Sequence, residues 1–372
     1  MYQKTLSTGT LTVTPRAGAW DLDALFDIAE RNNPKRSFLF VSKVLGRHIP
    51  VRPAVMRSVY VDLACRLPAD LTGPVVFIGM AETAVGLAAG VFQEARKWLT
   101  ESVLLTTTRH PAANGRLLCE FQESHSHATD HLVYWPADEE NVQLFQRAET
   151  LVLIDDEATT GNTFANLLSA LAARGHNQFC RVITVTLTDW SDNALSTRTD
   201  LPVQPIALAF GDWHWQARPD APIPVMPDVN VTATGSVNIS SRQSWGRLGM
   251  TDTQDDLGAD LVTAPGERIL ILGSSEFIWL PFLLAERLAR QGAEAYFSSI
   301  TRSPIAQGHA IQSIMAFRDN YGLGIPNFLY NVIHQRWDRI IIGCETPAAS
   351  IDPAFLDQLR TVAQRVEVIA YD

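Results

Sequence analysis

The stretch Leu151-Val-Leu-Ile-Asp-Asp-Glu-Ala-Thr-Thr-Gly-Asn-Thr163 limits this chain more than any other. Its uninterrupted apolar start is the mark of a strand buried on both faces of a parallel sheet. Asp155 and Asp156 stand at the strand's end, and the small residues Thr159 to Thr163 follow. Phe164, Leu167, Leu168, Leu171 and Ala172 then recur at helical spacing up to Gly175, which predicts an amphipathic helix with a glycine after its end. A strand, a small-residue loop and a helix start together make an anion site. The first N–H groups of the helix lack partners within it, and small residues let a phosphate approach the backbone. Threonine hydroxyls add donors. The two carboxylates would repel a phosphate but suit sugar hydroxyls or a magnesium ion. The stretch thus reads as a cradle for the phosphate of a phosphorylated pentose. The plainer reading is an αβ turn capped by Thr and Asn. No Gly-x-x-x-x-Gly-Lys loop is present, and Asp-Asp-Glu is not the Asp-x-Asp of phosphatase-type nucleophiles.

Leu153-Ile-Asp-Asp-Glu-Ala-Thr-Thr-Gly-Asn-Thr163 resembles the phosphoribosyl pyrophosphate (PRPP) motif of type I phosphoribosyltransferases. That motif is a hydrophobic strand, two acids, two variable residues and Thr-Thr-Gly-x-Thr. The resemblance implies an α/β core, a parallel sheet flanked by helices. It also implies PRPP and a nucleobase-like small molecule as substrates, Mg2+ as cofactor, and a nucleotide and pyrophosphate as products, with the reverse reaction equally allowed. The 5-phosphate would rest on Ala158, Thr159, Thr160, Gly161, Asn162 and Thr163, with Asp155 and Asp156 as catalytic carboxylates and metal ligands. A homodimer is a common state in that family.

Pro74-Val-Val-Phe-Ile-Gly79 is a second buried strand, entering a small-residue helix over 84–99 and so building another potential anion site. The resemblance places the pyrophosphate loop here, on Met80, Ala81, Glu82 and Thr83. Glu82 departs from expectation, because an acid beside pyrophosphate needs a metal or a basic partner. The glycines have a second reading, close helix–sheet packing. Arg109 ends the next strand, 102–110, on the edge where open parallel sheets bind ligands, and can grip pyrophosphate or form a structural ion pair. Phe121-Gln-Glu-Ser-His-Ser-His-Ala-Thr-Asp-His131 follows. His-x-His in an extended segment puts two rings on one face, as a metal site would. A polar surface loop is the other direct reading. The resemblance implies a third: a loop that closes over PRPP, with Glu123, His125, His127 and His131 assisting the leaving pyrophosphate and His125 and His127 as catalytic residues.

Upstream, a strand over 9–15 and a helix over 22–31 are expected. Next comes the basic segment Asn33-Pro-Lys-Arg-Ser-Phe-Leu-Phe-Val-Ser-Lys-Val-Leu-Gly-Arg-His-Ile-Pro50. It reads either as a surface helix end or as part of the variable hood that selects the acceptor in the resembling family. After the central motif, Arg181 to Asp189 and Val203 to Phe210 are further strands. Trp190, Asp189 and Asp192 stand where an acceptor base would stack, although Trp190 equally suits hood packing.

A proline-rich link from 218 to 227 leads to an expected strand over 229–241, and the domain boundary is placed at 235/236. The βα rhythm then restarts: strands at 268–273, 295–300, 339–343 and 366–370, helices at 277–290 and 353–364. This predicts a second, Rossmann-like α/β domain over 236–372 after a phosphoribosyltransferase domain over 1–235. Thr301-Arg302-Ser303-Pro304 resembles the TRSP-type domain found C-terminal to a subgroup of phosphoribosyltransferases. That subgroup is associated with tellurium-resistance and stress-response gene clusters, and the segment 33–43 resembles it too. A nucleoside-like product pathway is what this implies. Arg242, Arg247 and Arg302 either line a ligand crevice or tie the domains together.

The net charge of −10 argues against nucleic acid as a partner. Four cysteines lie far apart without Cys-x-x-Cys, as in a reduced, cytoplasmic chain. The longest apolar tract, 75–92, carries Glu82 and internal glycines, so neither a signal peptide nor a membrane span is expected. The competing functional class is a regulator that senses PRPP without turning it over. Pyrophosphate release separates the two classes.

Overall fold

The structure is a computed structural model; it describes residues 1–33, 36–122, 131–221, 224–227, 239, 245–252 and 256–371. The apolar runs became the strands expected of them. Thr150–Ile154 is buried throughout and lies in the middle of an eight-stranded sheet. It pairs in parallel with Val75–Gly79 on one side and Arg181–Asp189 on the other. Ser102–Thr106 and Val203–Ala217 extend the parallel set at the two sides. Gly9–Gly18 adds antiparallel to Val203–Ala217, and Tyr2–Thr5 adds antiparallel to Gly9–Gly18. Among the helices packed with these strands are Pro53–Cys65, Val85–Ala95 and Asn162–Ala173. This is the type I phosphoribosyltransferase-like α/β arrangement that the central motif implied.

The helix expected over 22–31 shrinks to Leu22–Leu25, because Phe26–Glu30 pairs antiparallel with Phe38–Ser42. Its second strand belongs to the basic segment expected to form part of the hood. Trp190 packs against it, stacked 5.3 Å from Phe40 and buried. Asp189 accepts bonds from the N–H and hydroxyl of Ser191, while exposed Asp192 pairs with Arg16. The expected role of this cluster as an acceptor-base platform therefore gives way to packing and turn capping.

A second sheet is four-stranded and all parallel, in the order Glu294–Ser299, Arg268–Gly273, Trp337–Cys344, Ala363–Ala370. A hairpin of Ile314–Arg318 and Pro326–Tyr330, not foreseen from sequence, completes this part. The strand expected over 229–241 lies outside the described residues except Ile239, and so does Arg242.

The two sheets share a hydrophobic core. Helix Trp279–Arg290 packs on Pro53–Cys65, with Tyr60 5.3 Å from Phe282 ring to ring. Gly86 and Gly90 let Val85–Ala95 approach both helices closely: a Cβ on Gly86 would sit 2.7 Å from Ile278, and one on Gly90 2.2 Å from Tyr60. These glycines therefore serve packing. No described helix is long and apolar enough to cross a membrane.

Candidate active site

At the tip of Thr150–Ile154 the chain meets a cleft of about 800 Å³. Asp155, Asp156, Glu157 and Thr159 line it, together with Ala81, Glu82, Thr83 and Arg109. The two stretches share one cavity, because their strands are neighbours in the sheet. Met80 does not join them through its side chain, which is buried in the core. Ala158 is also buried, its carbonyl taken by the N–H of Trp190.

The threonine loop enters the helix through Gly161, whose φ of +68° is the left-handed backbone that favours glycine. A Cβ there would also lie 3.3 Å from the backbone nitrogen of Leu195. The N–H of Asn162 reaches only the Thr160 hydroxyl, at 3.4 Å. Those of Thr163 and Phe164 have no acceptor among the described residues. A helix start in this state favours an anion. Arg198 bonds Asn162 Oδ1 and brings a guanidinium beside that first turn. No local motif marks it.

Asp155 and Asp156 stand side by side in this cleft. The Asp155 carboxylate accepts the N–H of Asp156 at 2.9 Å. Burial pushes the Asp156 carboxyl up to about 6, and the neighbouring Glu157 adds to the shift. Glu157 is paired with Arg36 at 2.7 Å. Among the described residues no cluster of three or more His, Cys, Asp or Glu could hold a metal by itself. Two adjacent carboxylates carrying surplus negative charge nonetheless suit Mg2+, which takes one or two protein carboxylates and fills its remaining positions with water and phosphate oxygens.

Glu82, the anomalous acid of the expected pyrophosphate loop, does have its basic partners. Arg47 from the basic segment and Arg302 from the C-terminal part both pair with it, and its side chain is 8% exposed. Burial raises a carboxyl, but here the two guanidinium groups overcome it and hold Glu82 below its ordinary value. Through Nη1, Arg47 also donates to the carbonyls of Ser275 and Ile300.

Arg109 Nη2 lies 3.1 Å from His131 Nε2, and His131 Nδ1 lies 2.9 Å from the Thr107 hydroxyl. Because a guanidinium only donates, Nε2 accepts and Nδ1 carries the proton. The Thr107 oxygen also accepts the N–H of Ala81 at 2.8 Å. His131 is thus a buried relay that links Arg109 to the Ala81 loop, stacked on Phe121 at 4.7 Å. It is no part of a closing loop. Glu123, His125 and His127 lie outside the described residues.

The far wall of the cleft comes from Arg31, Arg36, Leu39, Phe40, Arg47 and His48, and from Thr301 to Pro304 with Ile325. Of the basic segment, Arg36, Arg47 and His48 face the cleft. Lys43 instead donates to the carbonyl of Asp23. Sequence reasoning passed over Arg31, which carries no motif, and Glu157, which stands at a variable position of the central one.

Residues 25–212 match the model of a family described as phosphoribosyl transferase, and residues 245–359 match that of the TRSP domain that lies C-terminal to it. No curated protein matches the sequence. Solved structures of similar fold include an adenine phosphoribosyltransferase from Rhodothermus marinus, 15% identical with a TM-score of 0.31, over 49% of this chain and 93% of that one. Another is an adenine phosphoribosyl transferase from Trypanosoma brucei in complex with AMP, pyrophosphate and ribose-5-phosphate (13%, TM-score 0.34, 49% and 76%). A third is an orotate phosphoribosyltransferase from Aeropyrum pernix (17%, TM-score 0.29, 50% and 88%). At such identities and scores the likeness says nothing of substrate.

Proposed function

The chain belongs to the phosphoribosyl transferase family, and from that premise we propose that it moves ribose 5-phosphate between pyrophosphate and a nucleobase-like acceptor at the cleft between its two domains. We place the domain boundary near residue 235. The observation that carries the reading is the meeting of Asp155, Asp156 and Thr159 with Ala81, Glu82, Thr83 and Arg109 around one cavity. A molecule with a phosphate at one end, a diol in the middle and a pyrophosphate at the other matches that order of groups.

The 5-phosphate rests on the residues from Ala158 to Thr163, chiefly through backbone N–H groups and threonine hydroxyls. Asp155 and Asp156 take the ribose hydroxyls and hold Mg2+. When bound, Mg2+ neutralises phosphate oxygens. The bond from the anomeric carbon to the pyrophosphate oxygen breaks with its electron pair leaving on pyrophosphate. Positive charge then builds on the ribose ring, and the aspartates stabilise it from close range. An acceptor nitrogen forms the new bond to that carbon and loses its proton. Arg109, oriented by His131, stands ready for the leaving group. His125 and His127, outside the described residues, are the proposed assistants of the leaving pyrophosphate. The shared segments 33–43 and 301–304 suggest a nucleoside-like metabolite in a stress or tellurium-resistance setting.

The test is pyrophosphate release from PRPP and Mg2+ across a panel of bases. Release with at least one base is expected. Tight PRPP binding without release on any base would make the chain a sensor instead. Thr163→Val should weaken ribose 5-phosphate binding by about 1–3 kcal/mol, the cost of an unmet phosphate contact. Calorimetry measures it, and unchanged affinity would remove Thr163 from the cradle.

A further inference from the structure

We infer that the C-terminal domain supplies a wall of the phosphoribosyl site, and that Arg302 binds the pyrophosphate end of the substrate. The inference rests on the functional reading above and adds a residue from outside the phosphoribosyltransferase domain.

Arg302 lines the cleft beside Glu82. It spends only Nε on Glu82, and its two Nη groups have no partner among the described residues. Arg47, the other arginine on Glu82, differs: its Nη groups are engaged by Glu82, Ser275, Ser299 and Ile300. One arginine is therefore a structural tie, and the other is a guanidinium held by one edge with its remaining donors unengaged. A fixed fork of that kind suits bidentate capture of phosphate oxygens. Glu82 holds the fork in place rather than neutralising it, because two cations face this one acid.

The turn that carries Arg302 is rigidly held. The hydroxyl of Tyr330 donates to the Ser303 carbonyl at 2.7 Å and accepts the N–H of Ile305 at 2.9 Å. The Thr301 backbone pairs with Phe328 in both directions. Beyond the turn, the N–H of Ala306 reaches the Glu30 carbonyl. Thr301 to Pro304 therefore runs from the pyrophosphate loop to the strand Phe26–Glu30.

A second observation on the same wall points to a ligand. His48 lines the cleft and is 8% exposed, yet neither ring nitrogen has a hydrogen-bond partner. Buried polar atoms in that state cost free energy unless a ligand or water completes them. The C-terminal domain also holds His48: Asn331 Nδ2 donates to its carbonyl at 2.9 Å, and Tyr330 meets its ring edge-on at 5.7 Å.

The experiment uses full-length wild type, Arg302→Gln and Arg302→Lys. Calorimetry with Mg2+ measures the affinity of each for inorganic pyrophosphate and, separately, for ribose 5-phosphate. In Arg302→Gln, pyrophosphate should bind about 10- to 100-fold more weakly while ribose 5-phosphate stays within about twofold. Ribose 5-phosphate doubles as the check on folding. Arg302→Lys, which keeps the cation and loses the fork, should weaken pyrophosphate about 3- to 10-fold. Pyrophosphate affinity equal to wild type in either variant overturns the assignment of Arg302 and leaves the phosphoribosyl reading standing. Wild type that binds neither compound overturns both.

Discussion

Replacing Asp155 and Asp156 together by asparagine lowers kcat by about 10²- to 10³-fold, while the variant remains folded. The expected size follows from the charge that develops at the anomeric carbon. Preorganised charge at such a position is typically worth about 3–4 kcal/mol, and about 1.4 kcal/mol is a factor of ten in rate. Asparagine keeps the shape and loses the charge, and it also weakens any hold on Mg2+. Stability should move the other way. The Asp156 carboxyl sits at about 6 in the fold against an ordinary 3.8, because burial and Glu157 oppose its ionisation. A carboxyl raised on folding contributes a penalty that begins as pH climbs past 3.8 and is complete above about 6. Asp156→Asn removes that penalty, so its Tm should exceed that of wild type above pH 6 by an amount equivalent to roughly 1–3 kcal/mol. The two proteins should converge on acidification. Pyrophosphate release and melting curves across pH read the two effects separately. Wild-type turnover in the double variant rejects the catalytic assignment; a lower Tm at neutral pH rejects the ionisation penalty at Asp156.

What the sequence could disclose was what lies close together in the chain. Thr150–Ile154 and Val75–Gly79 were legible because a run of apolar residues has few other uses in a chain of this kind. The threonine loop was legible because its strand, turn and helix are consecutive. Phe26–Glu30 misled because its apolar spacing also fits a helix, and only pairing with Phe38–Ser42 decides otherwise. Glu82 looked misplaced because its partners come from elsewhere: Arg47 is 35 residues away and Arg302 is 220. No local pattern could bring those three together. The same holds for Arg36 and Glu157, 121 residues apart and paired across the cleft. Motif logic found the loops on one wall of the cleft, while the opposite wall, built from the segment around Arg36 to His48 and the turn Thr301 to Pro304, needed the fold.

Arg247→Met should destabilise the protein by about 3–5 kcal/mol and lower kcat as well. Arg247 is buried between two carboxylates of the C-terminal domain. It donates to Glu345 at 2.6 and 2.7 Å and to Glu276 at 2.9 Å, and its Nε reaches the Thr108 hydroxyl at 3.0 Å. Glu276 in turn takes the Thr108 hydroxyl at 2.6 Å and the backbone N–H of Arg109 at 2.7 Å. The cluster therefore ties the second domain to the strand end that presents Arg109 to the cleft. Removing its cation leaves two buried acids unpaired, which is the costly way to break such a group. Burial alone would raise the Glu276 carboxyl, yet Arg247 with His110 and the Thr108 bond bring it down to about 2. A carboxyl depressed on folding contributes stability that is present above its ordinary 4.5 and is lost as pH falls from there towards 2. Wild type should therefore loosen between the domains over that acid window. Arg247→Met should already be loosened at neutral pH, with a much weaker dependence on acid. Urea unfolding followed by tryptophan fluorescence, with Trp245 and Trp279 6.2 Å apart between ring centres at this junction, reports the loss. Because Glu276 also fixes the backbone of Arg109, pyrophosphate affinity should fall with it. A variant as stable as wild type, with unchanged pyrophosphate binding, would mean that the shared apolar core alone seats the second domain.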